Sequence, residues 1–174
     1  SVIYTNSTQP KIMKPLVLLL SLIGLLSSGF TNVTYEYVTV VDWQYKPIIK
    51  VELNGKTAYF LVDTGSDMTI LHKDEASRFD FHPLLVSSSK QSALGLSGQQ
   101  QTIHKAKNVN MVIGSMPIKA LFKTYDLSGV VSSLRNRVNV KVAGIIGSDV
   151  MKRYGFIIDY QHQTIAIKTR KRVK

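Results

Sequence analysis

The chain has 174 residues, enough for one domain with a hydrophobic core and extensions at its ends. It contains no cysteine, so disulfide bonds, a thiol nucleophile and cysteine-based metal sites are excluded. The formal net charge is +11, but seven of the 22 basic residues lie near the chain ends, which leaves 15 basic against 11 acidic residues elsewhere. Because no nucleic-acid-binding motif accompanies this charge, we predict no nucleic-acid partner, and residues 169–174 are predicted to be a solvated basic tail.

Residues 1–30 are predicted to form a leader that directs export. Lys14 precedes an apolar run over residues 16–26, and small residues follow that run. A basic start, a short apolar stretch and small residues in this order are typical of a secretory signal peptide. An uncleaved membrane anchor over residues 15–30 and a buried helix of the domain are the alternatives. The signal and the anchor both predict a periplasmic or otherwise extracytoplasmic domain.

Residues 31–168 are predicted to form a single, mainly β domain. Asn54-Gly55 stands between two β-forming runs and is a strong signal for a two-residue hairpin turn. A short helix is predicted over residues 149–154, whereas residues 127–137 fit either a loop or a helix. The predicted strands cover residues 34–41, 48–53, 57–62, 109–113, 118–124, 138–142, 156–160 and 164–168.

The sequence Asp63-Thr64-Gly65-Ser66 interrupts two apolar strands. A carboxylate between buried strands must meet a specific need, because burying an unpaired charge is costly. Gly65 permits a sharp turn, and the hydroxyls of Thr64 and Ser66 can fix the loop. An ordinary Asp-Gly turn is the alternative, but a second motif downstream favours a functional loop.

That second motif is Ile145-Ile146-Gly147, which leads into the predicted helix. Together the two motifs resemble the retropepsin-type (clan AA) aspartic peptidases, in particular the small single-domain bacterial ones, over about residues 47–168. The resemblance implies a closed β-barrel with the acid protease fold of one lobe and one short C-terminal helix. It also implies a hydrolase, an aspartic endopeptidase that acts on polypeptides without a metal or another cofactor.

The resemblance also assigns roles within the first motif. Asp63 is the implied catalytic carboxylate, Thr64 bonds across a dimer axis, and the backbone of Gly65 approaches the substrate. Ser66 is expected to hydrogen-bond Asp63. Three further residues are implied to support the loop: Ile145, Ile146 and Gly147. Hydrolysis by carboxylates needs two of them on one water, sharing one proton, and the chain has a single Asp-Thr-Gly, so we predict a homodimer with an acidic pH optimum.

Substrate contacts are implied in two further places. The polar stretch 87–103 occupies the position of the family's flap, with a mobile surface loop as the alternative. Its predicted tip consists of Gly95, Leu96, Ser97 and Gly98. Asp67 follows the catalytic loop, and Ser148, a predicted helix cap, stands where retroviral relatives carry the arginine that pairs with this acid. Asp67 would therefore need another partner, either Arg153 or backbone amides, and Asp149 is predicted to begin the helix rather than act as a second catalytic acid.

The chain ends are predicted to build the dimer interface. By resemblance, residues 34–41 and 164–168 of the two copies would interleave into one sheet and cover strand edges that would otherwise be exposed. The alternative to a peptidase is a catalytically inactive retropepsin-like module that binds peptides or serves as a scaffold.

Overall fold

The computed structural model describes residues 33–84, 92–94 and 100–170. The predicted leader, the tip of the predicted flap and the last four residues of the basic tail lie outside this described part. Within it, none of the helices combines the length and the apolar character needed to cross a membrane.

Strands dominate the described residues, as the sequence predicts, with short helices between them. The strands are β1 (Val33–Val38), β2 (Val40–Asp42), β3 (Ile48–Leu53), β4 (Lys56–Val62), β5 (Ile70–His72), β6 (His82–Leu84), β7 (Ser92–Leu94), β8 (Gln100–Thr102), β9 (His104–Lys107), β10 (Met111–Ile113), β11 (Met116–Ile118), β12 (Lys123–Tyr125), β13 (Val142–Ile146), β14 (Ile157–Asp159) and β15 (Thr164–Arg170). The helices are α1 (Ala76–Phe79), α2 (Ser128–Arg135) and α3 (Ser148–Tyr154), and Lys73–Glu75 forms a 3-10 turn. The segment left open between loop and helix contains α2, while α3 is the predicted C-terminal helix.

The main sheet of the described part has ten strands in the order β11-β10-β3-β4-β13-β5-β12-β9-β6, with β2 beside β3. At its centre, β13 runs parallel to β4 and antiparallel to β5, and all five of its residues are buried. A strand buried on both faces requires such a continuous apolar run. The mainly β prediction is confirmed. Among the described residues the hydrogen-bonded path runs from β11 to β6 without joining these two strands, so closure of the barrel stays a prediction.

The hairpin of β3 and β4 delivers the chain to Asp63. Six residue pairs join its two strands, from Ile48 opposite Leu61 to Leu53 opposite Lys56. At the turn, Asn54 and Gly55 have φ angles of 48° and 77°, the left-handed values that a tight hairpin turn needs. The predicted Asn-Gly hairpin is therefore confirmed.

A second sheet joins the two ends of the described chain in the order β1-β15-β14. Val33 lies opposite Arg170 and Val38 opposite Ile165, so β1 covers one edge of β15 along its whole length. These two segments therefore pair within one chain, with Val38 and Ile165 in the same core, while their interleaving with a partner stays a prediction. β14 covers the other edge of β15 only as far as Ala166.

A separate apolar cluster packs α2 and its flanking residues against the strands that lead to the two motifs. Leu61 of β4 belongs to this cluster and lies two residues before Asp63. Ile145 of β13, the first residue of the second motif, belongs to it as well. The residues contributed by the α2 segment are Leu127, Leu134 and Val138. The segment between β12 and β13 is therefore fixed beside the candidate site.

Candidate active site

Asp63 stands where the chain leaves β4. Its amide donates to the carbonyl of Ile146 at 3.1 Å, which ties it to the end of β13. The side chain is 31% exposed, and its Oδ1 accepts a hydrogen bond from the amide of Gly65 at 3.1 Å. The chain thus presents one carboxylate at the surface and orients it by an adjacent backbone amide.

The residues after Asp63 form a tight, exposed loop. The Ser66 amide donates to the Asp63 carbonyl at 3.0 Å and closes the turn, while Thr64 and Gly65 are exposed. The Ser66 hydroxyl donates to the carbonyl of Met68 at 2.8 Å. The expectation that this hydroxyl bonds Asp63 is therefore wrong, because the turn directs it toward the backbone of its own loop.

The Ile145-Ile146-Gly147 motif supports this loop, as the resemblance implies. Ile145 and Ile146 are buried, and Gly147 lies so close to Met68 that a Cβ would overlap the backbone of Met68. The amide of Ser148 donates to the carbonyl of Ser66 at 2.8 Å. Gly147, not Ser148, occupies the capping position of α3, and no side chain caps the helix, so the predicted cap is corrected.

A buried threonine connects the loop to α3. Thr69 is fully buried, and its hydroxyl donates to Asp149 Oδ1 at 2.8 Å while accepting the amide of Gly147 at 3.0 Å. Asp149 lies in the first turn of α3, as predicted, and takes part in this structural contact. Sequence reasoning missed Thr69, although a hydroxyl within the apolar run Met68-Thr69-Ile70 was an available signal.

A second residue missed from the sequence is Lys46. Its Nζ lies 3.8 Å from Asp63 Oδ2, and the lysine side chain is 54% exposed. This separation is an ion pair rather than a hydrogen bond. The two residues are 17 positions apart on opposite sides of a hairpin, so no local pattern could reveal their proximity.

The predicted substrate-binding residues have different outcomes. Asp67 is exposed, and Arg153 donates to the carbonyl of Lys119 instead of pairing with it, so the suggested Asp67–Arg153 contact is not formed. The flap tip, residues 95–98, lies outside the described residues. Among those described, no group of three potential metal-ligating side chains could hold a metal ion.

An ion pair anchors the segment that precedes α2. Lys73 Nζ lies 2.8 Å from Asp126 Oδ2, and the amide of Ser128 donates to Asp126 Oδ1 at 2.9 Å. The hydrogen bond from Lys73, followed by those from Ser128, holds the pKa of Asp126 well below its usual range. The same hydrogen bond raises the pKa of Lys73.

A cavity of about 500 Å³ lies between α2 and the end of β5. His72, Arg135 and Lys141 are among the residues that line it, and none of the predicted site residues is. We therefore place the candidate site at the exposed loop around Asp63 and not in this cavity.

The fold and the loop together define a single-lobe domain of the aspartic protease class. Residues 49–150 match the family described as aspartyl protease, and the chain belongs to that family. The suspected family resemblance is confirmed. No curated protein is similar in sequence.

Solved structures extend this likeness to the fold. The retropepsin-like aspartic protease from Rickettsia conorii is 16% identical, with 82% of this chain and 96% of that chain covered and a TM-score of 0.51. The retroviral protease-like domain of Ddi1 from Leishmania major is 20% identical, with 77% and 88% covered and a TM-score of 0.44. EIAV protease is 15% identical, with 66% and 93% covered and a TM-score of 0.45. The likeness to the Rickettsia conorii structure, at a TM-score of 0.51, confirms the retropepsin-like fold.

Proposed function

We propose that the protein is an aspartic endopeptidase in which two copies of the chain each contribute Asp63 to one active site. The observation that carries this proposal is the exposed Asp63 carboxylate, held by the Gly65 amide on a loop that is bonded to the Ile145-Ile146-Gly147 motif. Family membership supports a protease. An inactive peptide-binding or scaffolding module is not favoured, because the carboxylate and its supporting contacts are in place.

The need for a second copy follows from the chemistry. One ionised carboxylate must take a proton from water while a protonated one polarises the scissile carbonyl. Asp149 is committed to Thr69, which argues against it as the second carboxylate within one chain. A two-fold axis beside the loop would supply the partner's Asp63.

The exposed backbone at Gly65 also supports this proposal. A Cβ built on Gly65 would lie 3.4 Å from Asp63 Oδ1, an ordinary contact, so none of the described residues excludes a side chain there. We infer that the glycine leaves room for a substrate or for the partner's loop. Thr64, exposed beside it, is available to donate across the axis.

We also propose that the domain is exported, with residues 15–30 acting as a cleaved signal or as a membrane tether. The order of charge and apolar residues in the sequence supports export. Fractionation of cells that express the full chain would test it, because recovery in the cytoplasm would contradict export.

The decisive experiment is hydrolysis of a peptide mixture by the full chain and by its Asp63→Asn variant. We expect cleavage with an acidic optimum by the wild type and none by Asp63→Asn, although the variant keeps its melting temperature. Asp74→Asn is the matched control, because it removes the same charge from a carboxylate that is 60% exposed. Cleavage by Asp63→Asn at the wild-type rate would exclude the proposed mechanism.

A further inference from the structure

The cationic side chain of Lys46 lies beside Asp63. At 3.8 Å from Asp63 Oδ2, with both side chains partly exposed, it makes a weak ion pair. Pairs of this kind contribute about 0–1 kcal/mol, so Lys46 can exchange Asp63 for another carboxylate at little cost. Lys46 is thus a cation available to a ligand that approaches Asp63.

The second cation is Arg137, which follows α2. Its guanidinium carbon lies 5.2 Å from the ring centroid of Tyr45, the residue next to Lys46. Tyr45 is 54% exposed and Arg137 is exposed. A guanidinium over an aromatic face keeps the N–H groups at its edge free, and these groups suit a carboxylate in bidentate geometry. The ring therefore orients the cation without consuming its hydrogen-bond donors.

We propose that Lys46, Tyr45 and Arg137 form a cationic subsite beside Asp63 that binds the side-chain carboxylate of a glutamate or aspartate in the substrate. The inference rests on the proposed function and specifies its substrate class, which is polypeptides with an acidic residue at one position near the scissile bond. Asp67, four residues after Asp63, is exposed, and its negative charge disfavours an acidic residue placed beside it. We therefore expect the preference at one position of the peptide and not along its whole length.

The arrangement unites two parts of the fold that are distant in the sequence. Lys46 and Tyr45 precede β3, whereas Arg137 belongs to the segment between β12 and β13. That segment is already fixed by the apolar contacts of Leu127, Leu134 and Val138. A purely structural role for Arg137 would appear in the stability of the chain, whereas a binding role appears in its choice of substrate.

The test compares paired peptides with the full chain. A peptide cleaved from a random mixture is resynthesised with glutamate or glutamine at each position around the scissile bond, and kcat/KM is measured for each pair. At one position we expect a glutamate preference of about 10-fold, the size of one charge-assisted hydrogen bond. Lys46→Gln and Arg137→Gln should each reduce this ratio to about 2-fold, Arg137→Lys should retain part of it, and added salt should weaken it.

Arg135→Gln is the matched control, because it removes an exposed cation two residues from Arg137 and should leave the ratio unchanged. The subsite is refuted if no position prefers glutamate, or if both Gln variants keep the wild-type ratio. Dissociation of the dimer by Lys46→Gln with an unchanged ratio would assign Lys46 to the subunit interface instead, which also overturns the proposal.

A binding measurement that needs no cleavage separates this inference from the proposed function. If the chain cleaves nothing, fluorescence anisotropy with the Asp63→Asn chain still measures binding of the glutamate and glutamine peptides from a labelled panel. If the glutamate peptide binds more tightly than the glutamine peptide, and the variant that combines Asp63→Asn with Lys46→Gln loses this difference, the subsite is supported without hydrolysis. Equal binding of both peptides refutes the subsite.

Discussion

The hydroxyl of Thr69 donates to Asp149 at 2.8 Å and accepts the amide of Gly147 at 3.0 Å, so one buried oxygen joins the loop after Asp63 to the first turn of α3. Thr69→Val keeps the shape of the side chain but leaves that amide without its partner. A lost partner of this kind costs about 1–3 kcal/mol, and we expect a loss of about 2 kcal/mol in the free energy of unfolding, measured by urea denaturation. Thr57→Val, at an exposed position of β4, should change it by less than about 0.5 kcal/mol.

A methyl group at Gly147 should disrupt the candidate site. Because a Cβ there overlaps the backbone of Met68, Gly147→Ala must displace the loop or β13. We expect the free energy of unfolding to fall by about 3 kcal/mol and the proteolytic activity to be lost. Gly129→Ala in α2 is the contrasting variant, since a Cβ there meets nothing within 4 Å. It should stabilise the chain by about 0.5 kcal/mol. Equal melting temperatures for the two variants would contradict this reading of the loop.

The Lys73–Asp126 contact predicts a specific dependence of stability on pH. Because the pKa of Asp126 is lowered in the folded chain, its stabilising effect is present above the ordinary carboxyl pKa of about 3.9 and is lost as pH falls below that value. Asp126→Asn should therefore cost about 1 kcal/mol at pH 6, and the cost should shrink below pH 4. Denaturation curves across this range measure it, with Glu52→Gln, a change of an exposed carboxylate in β3, as the control. A cost that does not change with pH would contradict the assigned ion pair.

The proposed dimer should respond to concentration and salt. On the β14 side of β15, no described strand pairs with residues 167–170, and Lys168 in this stretch is exposed. Two such edges near one axis repel each other, and salt screens charges beyond about 8–10 Å at physiological ionic strength. Specific activity should fall on dilution and recover with added salt, with sedimentation measured in parallel. Constant activity from a monomer would refute the dimer.

A truncation that tests the dimer must leave β15 in place. Ile165 and Ile167 of β15 are fully buried, so deletion of residues 164–174 would unfold the chain rather than separate its copies. Removal of residues 171–174 alone takes away three basic residues and leaves β15 intact. This shorter chain should dimerise more tightly at low salt, and the difference should disappear at high salt.

Local signals in the sequence predicted the hairpin at Asn54-Gly55 and the loop at Asp63, because turn chemistry and motif spacing act over a few residues. The bond between Thr69 and Asp149 joins residues 80 positions apart, and the pairing of Val33 with Arg170 joins the ends of the described chain. Such partners depend on the register of distant strands, which no local pattern specifies.

The α2 segment shows a different limit. Serine, glycine and valine are weak helix formers, so propensity alone left residues 127–137 undecided between loop and helix. The burial of Leu127, Leu134 and Val138 against the strands decides the outcome in the folded chain. The same packing positions Arg137 over Tyr45, which is why the cationic subsite could not be inferred from sequence.

The antiparallel pairing of Val33 with Arg170 has a mechanical consequence. When the two ends of the described chain are pulled apart, the load falls on the first pair of the β1–β15 ladder and opens it one pair at a time. Strands loaded in this zipper geometry separate at low force, because the load breaks the hydrogen bonds one after another and not all at once. In an optical trap, β1 should peel away as a distinct early step before the main sheet unfolds. A chain held at its N-terminus and pulled at its C-terminus would therefore yield first at this sheet, while the loop around Asp63 is still folded.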